Sequence, residues 1–66
     1  MIKELTAIVY VPGDEIEFKK YRHNLKNTQY YISKFCDDMK KKFAKAEYIN
    51  FYYKQSGQFK ERIYLQ

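Results

Sequence analysis

The single cysteine, Cys36, is the feature that most limits how this chain can fold. A chain of this size buries only about 60% of the surface that its unfolded form exposes, and small domains therefore often rely on disulfides or a structural metal. One cysteine forms no internal disulfide, and together with the only histidine, His23, it falls short of the four ligands of a structural zinc site. We therefore expect one domain, residues 1–66, without metal or cofactor, held together by a dense core.

Aromatic residues are expected to supply the dense packing of the core. Eight tyrosines and five phenylalanines make up 20% of the 66 residues, and these side chains bring a large buried area for few rotatable bonds. A homodimer would bury additional apolar surface, and the sequence leaves that possibility open.

The composition also bears on location and partners. A lone cysteine is typical of a reducing compartment. The apolar run at 7–11 is too short for a signal-peptide core, and no stretch approaches the roughly 20 apolar residues of a membrane span. The sequence therefore predicts a cytoplasmic protein that does not enter a membrane.

The formal net charge of +5 has two explanations. Lysine supplies 11 of the 13 basic residues and arginine supplies 2. Lysine is a point charge that suits phosphates, whereas the planar guanidinium of arginine makes paired hydrogen bonds to the edge of guanine. A nucleic-acid partner would therefore be bound with weak sequence specificity. Alternatively, the lysines only keep an aromatic-rich protein soluble.

Residues 2–11 are predicted to form a strand. Leu5, Ala7, Val9 and Val11 alternate onto one face, and the residues between them lie on the other. A proline–glycine pair at 12–13 ends the strand.

Residues 14–26 fit two structures. A polar–apolar alternation at 15–19 allows a second strand, whereas Asp14 followed by Glu17 has the pattern of a capping box at a helix start. Phe18, Tyr21 and Leu25 then have helical spacing. We favour the helix, which either continues into the next segment or breaks near 23–28, where Asn24 or Asn27 would cap a second helix.

Residues 28–45 carry the clearest helical pattern. One apolar stripe runs along this segment, formed by Ile32, Phe35, Cys36, Met39 and Phe43. The lysines at 40, 41, 42 and 45 crowd the C-terminal end, where the helix dipole favours positive charge.

Residues 47–65 are predicted to form a β-hairpin. Its strands are 48–54 and 59–65, and Gly57 lies in the turn between them. Ile49, Phe51 and Tyr53 point to one face, together with Ile63 and Leu65 of the partner strand.

The predicted fold is therefore a two-layer α+β domain. The N-terminal strand and the C-terminal hairpin form a small antiparallel or mixed sheet that packs on one long helix or two short ones. If residues 15–22 form a strand instead, the element order is ββαββ. That order resembles the β-grasp folds, in element order alone.

Catalysis finds little support in the sequence. Cys36 lies on the apolar stripe and is expected to be a small buried hydrophobe. His23 has polar neighbours and is expected to be a solvated surface residue. Asp37 and Asp38 are adjacent and so point in different directions on a helix. We therefore expect a protein that is not an enzyme.

The outer face of the hairpin is the candidate binding surface. Rings and cations alternate there: the positions are Tyr48, Tyr52, Lys54, Lys60, Arg62 and Tyr64. Aromatic rings stack on bases and cations neutralise phosphates, which favours nucleic acid, single-stranded above all. The same residue types are enriched in protein interfaces and also stabilise sheets without any ligand.

Two binding functions follow from this surface. The first is a small nucleic-acid-binding module with weak sequence specificity, and the second is a module that docks on a larger protein and modulates it. The richness in lysine, tyrosine and asparagine is typical of small proteins from AT-rich bacterial or phage genomes.

Overall fold

The fold is a four-stranded antiparallel sheet with one helix against one of its faces. The computed structural model describes residues 4–13 and 18–65. Its elements in chain order are β1 Glu4–Pro12, β2 Phe18–Lys26, α1 Gln29–Lys42, β3 Tyr48–Tyr53 and β4 Phe59–Tyr64. The strands lie in the order β2-β1-β3-β4, and all neighbouring pairs are antiparallel. The α+β class is confirmed, and the element order is the ββαββ alternative.

The central strand β1 follows the predicted alternation. Leu5, Ala7 and Val9 are fully buried, whereas Thr6 and Ile8 between them are only half-buried. Because β1 pairs with β2 on one side and β3 on the other, both of its edges are hydrogen-bonded. The alternation thus separates a helix-facing side of the sheet from an opposite side.

The helix favoured for residues 14–26 is wrong over 18–26, because this segment is strand β2. Its register with β1 runs from Pro12↔Phe18 to Glu4↔Lys26. That pairing satisfies backbone donors and acceptors along one whole edge of β1, which a helix would leave unpaired. Tyr21, His23 and Leu25 are half-buried on the helix-facing side. The capping box proposed at Asp14 and Glu17 lies outside the described residues.

Helix α1 is the predicted helix, shortened at its C-terminal end. Its N-cap is Thr28, whose Oγ1 accepts a hydrogen bond from the Tyr31 backbone amide at 3.3 Å. The cap is therefore neither of the two asparagines proposed from the sequence. Ile32, Cys36 and Met39 of the predicted stripe are buried against the sheet, while Phe35 and Phe43 are partly buried beside them.

The C-terminal hairpin has the predicted strands and one irregularity. Ile49 and Phe51 are fully buried and face the helix, and Gly57 takes a φ of 74° in the turn, a conformation that glycine adopts at little cost. The register shifts next to Phe51: Phe51 lies opposite Glu61, whereas Tyr52 lies opposite Phe59. Lys60 is thus the extra residue of a β-bulge.

The core lies between α1 and the helix-facing side of the sheet. Its buried members are Leu5, Ala7, Val9, Ile32, Cys36, Met39, Ala46, Ile49, Phe51 and Leu65. Aromatic pairs cover the edge of the core. One of them is the stacked pair Tyr21 and Phe43, whose ring centroids are 4.5 Å apart. Within residues 4–13 and 18–65, no helix has both the length and the apolar character needed to cross a membrane.

Candidate functional site

The side of the sheet opposite α1 carries the candidate site, and we call it the open face. Directly opposed residues of antiparallel strands project from the same face of a sheet. Because Leu5, Ala7 and Val9 point to the helix, Thr6, Ile8, Tyr10 and all their cross-strand partners lie on the open face.

The register arranges the open face into four rows that cross the strands. The tyrosine row is Tyr64–Tyr48–Tyr10–Lys20, and the arginine row is Arg62–Asn50–Ile8–Arg22. The Tyr52 row is Phe59–Tyr52–Thr6–Asn24, and the charged row is Lys54–Glu4–Lys26. Successive rows are two residues apart along each strand, which is about 7 Å.

The tyrosine row is a continuous aromatic surface. The rings of Tyr10 and Tyr48 are stacked with centroids 4.7 Å apart, and Tyr64 meets Tyr48 edge-on at 5.8 Å. Phe18 adds a fourth ring, 6.3 Å from Tyr10 and 6.2 Å from Tyr48. Tyr64 is 65% exposed, and a depression of about 410 Å³ lies between Phe18, Lys20 and the stacked pair. Flat apolar surface is thus presented to solvent here.

A hydrogen-bonded chain fixes the middle of the face. Arg62 places its guanidinium carbon 4.3 Å from the centroid of Tyr48, and its Nε donates to Asn50 Oδ1 at 2.8 Å. The Asn50 amide nitrogen in turn donates to the Tyr52 hydroxyl at 3.3 Å. Asn50 is buried although it lies on the open face. It therefore orients Arg62 and Tyr52 and is itself shielded from solvent.

The protonation states of the site suit an anionic ligand. Burial, reinforced by the neighbouring Tyr52, raises the pKa of Tyr10 above its ordinary value. The Tyr64 hydroxyl raises the pKa of Arg62. Near neutral pH the Tyr10 ring is therefore uncharged, and the guanidinium beside the row is a full cation.

The Tyr52 row is a second, smaller aromatic site. Tyr52 and Phe59 pack edge-on with centroids 5.7 Å apart, and Phe59 is 54% exposed. A depression of about 300 Å³ lies beside Tyr52, with Arg22 and Lys54 in its lining. The bulge sets this site up, because the shifted register brings Phe59 opposite Tyr52.

The predicted site residues divide into two groups. Tyr48, Tyr52, Tyr64 and Arg62 come together on the open face. The two lysines are engaged in ion pairs: Lys54 with Glu4 at 3.0 Å, and Lys60 with Glu61 at 3.0 Å. Glu61 lies opposite the helix-facing Phe51, so the ion-pair partner of Lys60 belongs to the helix-facing side of the sheet. A role in binding stays a prediction for all six residues.

The half of the open face that β1 and β2 contribute was not predicted from the sequence. Tyr10, Phe18, Lys20 and Arg22 lie beside the hairpin residues, but the helix prediction placed the last three elsewhere. The signal in the sequence was the period-two spacing of Tyr21, His23 and Leu25, which competed with an equally good helical spacing.

The structure places the side chains that were weighed as catalytic candidates in different parts of the fold. His23 is half-buried with its ring 5.5 Å from that of Phe35, so the prediction of a solvated surface histidine is wrong. Asp37 and Asp38 are exposed on α1. Among residues 4–13 and 18–65, no three His, Cys, Asp or Glu side chains are grouped as metal ligands would be.

Cys36 is expected to react slowly with thiol reagents. It is buried, and burial raises the pKa of its thiol, so both access and the reactive thiolate are reduced. We expect the folded protein to react with a disulfide reagent at pH 8 at least roughly 10-fold more slowly than the same protein unfolded in urea. Absorbance of the released thiolate measures both rates, and equal rates would contradict the buried position.

Comparison with known proteins adds no relative. No family model matches the chain, and neither the curated proteins nor the solved structures give a significant match. The geometry of the open face is therefore the basis for assigning a function.

Proposed function

We propose that the protein binds single-stranded nucleic acid on the open face, with weak sequence specificity. The observation that carries this proposal is the tyrosine row, whose outermost ring, Tyr64, is 65% exposed, with a guanidinium packed against Tyr48. Base–aromatic stacking contributes roughly 1–3 kcal/mol per base and tolerates any base, because every base has a π-face.

Charge supports a polyanionic ligand. Across the four rows, Lys20, Arg22, Lys54 and Arg62 are basic, and Glu4 is the only acid. Lys26 is left out of this count because its Nζ lies 5.5 Å from the centroid of the Tyr31 ring on α1. Glu4 is paired with Lys54, so the remaining cations give the face a net positive charge. Lysine and arginine contacts to phosphates supply the sequence-independent part of nucleic-acid affinity.

The shape of the surface favours single strands. In a duplex the bases are stacked on one another and offer side chains only their edges, which a helix or a narrow ribbon reads from within a groove. A four-stranded sheet surface with exposed rings instead suits splayed, unstacked bases. Weak sequence specificity follows because Asn50, the amide at the centre of the face, is buried and already bonded.

Fluorescence anisotropy with labelled single-stranded oligonucleotides tests the proposal. We expect an octamer of deoxythymidine to bind at micromolar concentration or tighter in low salt, with affinity falling as salt rises. Tyr64→Ala is expected to weaken binding roughly 5- to 150-fold, which corresponds to one lost stacking contact. A hairpin duplex of the same length is expected to bind more weakly.

A matched control isolates the tyrosine row from aromatic content in general. Tyr30 lies on α1 and is 67% exposed, so Tyr30→Ala removes an equally accessible ring from the opposite side of the molecule. Octamer affinity is expected to stay within about twofold for this variant. Equal losses for both variants, or no binding even in low salt, would refute nucleic-acid binding through the open face.

A protein partner is the second candidate function, and a second copy of this chain is one such partner. The exposed rings of Tyr64, Phe59 and Phe18 favour it, because aromatic residues and arginine are enriched at the centres of protein interfaces. Light scattering at several protein concentrations distinguishes the two functions. Self-association that Tyr64→Glu abolishes, without any oligonucleotide binding, would assign the open face to a homodimer.

A further inference from the structure

The open face has two separate aromatic sites, with a row of arginines between them. The tyrosine row and the Tyr52 row are four residues apart along β3, which is about 13 Å between their backbones, while the Tyr10 side chain reaches across to the Tyr52 hydroxyl. Arg62 and Arg22 mark the two ends of the row between them. Tyr48 lines one depression and Tyr52 lines the other, and both depressions lie on the side of these rings that faces β1 and β2.

We propose that the open face holds two non-adjacent bases of one strand, one on the tyrosine row and one on the Tyr52 row, with the backbone crossing the arginine row. This inference rests on the proposed function and adds to it the number and spacing of the bases. Successive bases in a stacked strand are about 3.4 Å apart. The distance between the rows is roughly four times larger, so one stacked pair of bases does not reach both.

Each row offers an exposed ring for its base. On the tyrosine row the outermost ring is Tyr64, and on the Tyr52 row it is Phe59, and both are more than half exposed. Tyr48 and Tyr52 support these rings edge-on from the neighbouring strand. Both exposed rings belong to β4, so the bound strand runs alongside β4.

The arginine row is suited to the phosphates between the two bases. Arg62 uses Nε to reach Asn50 and is also hydrogen-bonded to the Tyr64 hydroxyl, which leaves part of the five N–H donors of a guanidinium for a ligand. Its planar fork matches phosphate oxygens, and its stacking on Tyr48 holds the fork between the two aromatic sites. Asn50 acts here as a positioning residue, because it orients Arg62 on one side and Tyr52 on the other.

Oligonucleotides that carry only two bases test the spacing. Each probe is a labelled octanucleotide backbone in which six positions are abasic and two carry thymine, either adjacent or separated by one, two or three abasic positions. At least one separated arrangement is expected to bind roughly fivefold or more tightly than the adjacent arrangement. The adjacent pair is expected to bind no more than about twofold better than a probe with one thymine.

Variants assign the two bases to the two rows. Phe59→Ala and Tyr64→Ala are each expected to remove the preference for separated thymines, because each variant leaves an exposed ring on only one of the two rows. Tyr30→Ala, on the opposite side of the molecule, is expected to keep the full preference.

Binding of the complete thymidine octamer distinguishes a failure of the two-base arrangement from a failure of nucleic-acid binding itself. If the octamer binds but adjacent and separated thymines bind equally well, or if the preference survives Phe59→Ala, the two-site arrangement is refuted while nucleic-acid binding stands. If the octamer itself does not bind, both are refuted.

Discussion

Replacing Phe51 by alanine is expected to lower the free energy of unfolding by about 3–5 kcal/mol. Phe51 is fully buried in the middle of β3 and meets Phe35 of α1 edge-on at 6.3 Å. Domains have roughly 0.05–0.15 kcal/mol of stability per residue, which is on the order of 3–10 kcal/mol for a chain of this length. The variant is therefore expected to be largely unfolded or close to it, as urea denaturation followed by circular dichroism will measure.

Phe59→Ala is the matched control for this prediction. It removes the same side chain from the other strand of the same hairpin, at a position that is more than half exposed. Its effect on stability is expected to stay within about 1 kcal/mol, because exposed side chains lose little burial. Equal destabilisation by the two substitutions would contradict the assignment of Phe51 to the core and of Phe59 to the open face.

The double charge reversal Lys20→Glu, Arg22→Glu is expected to weaken octamer binding roughly 100-fold in low salt. Both side chains are exposed on β2 and lie on the open face. Loss of two charge-assisted hydrogen bonds at about 1.5 kcal/mol each gives this magnitude. The slope of log affinity against log salt concentration is expected to fall by about 1.4, which is roughly 0.7 for each lost phosphate contact with a single strand.

The control reversal is Lys34→Glu, Lys41→Glu. These lysines are exposed on α1, which lies on the opposite side of the sheet. Each double variant lowers the formal net charge from +5 to +1, so the pair differs only in where the charge is removed. An affinity loss of the same size in both variants would mean that overall charge, and not the open face, drives binding.

Much of the fold was predictable because three segments carry one unambiguous pattern each. The alternation of Leu5, Ala7 and Val9 specifies β1, the stripe through Ile32, Cys36 and Met39 specifies α1, and the turn at Gly57 specifies the hairpin. In each case the residues that share a face are also the residues that are buried. Local pattern and tertiary burial therefore agree.

Strand β2 was not predictable in the same way, because 18–26 satisfies two periods at once. Phe18, Tyr21 and Leu25 have helical spacing, while Tyr21, His23 and Leu25 have strand spacing. Long-range pairing with β1 decides between them, and local propensity carries no information on that pairing. Because of this ambiguity, Lys20 and Arg22 could not be assigned to the candidate site from the sequence. Their register with Tyr10 and Ile8 places them on the open face.

The site was half predictable for a related reason. Tyr48, Tyr52, Arg62 and Tyr64 share a face because the hairpin alternates regularly. The ion pairs of Lys54 and Lys60 depend on Glu4, 50 residues away from Lys54, and on the bulge beside Phe59. Neither arrangement follows from alternation alone. Both lysines were therefore predicted from the sequence to be cations available for binding phosphates.

The bulge at Lys60 also affects how molecules of this protein meet one another. Strand β4 is at the border of the sheet, and a straight, uncharged border strand is a template for adding strands from other chains, the first step towards fibrous aggregates. The extra residue breaks the regular spacing of the outward amides and carbonyls, and it brings a charged lysine to the same border. Both features disfavour edge-to-edge addition of another chain at β4, the strand that carries the exposed rings of Tyr64 and Phe59.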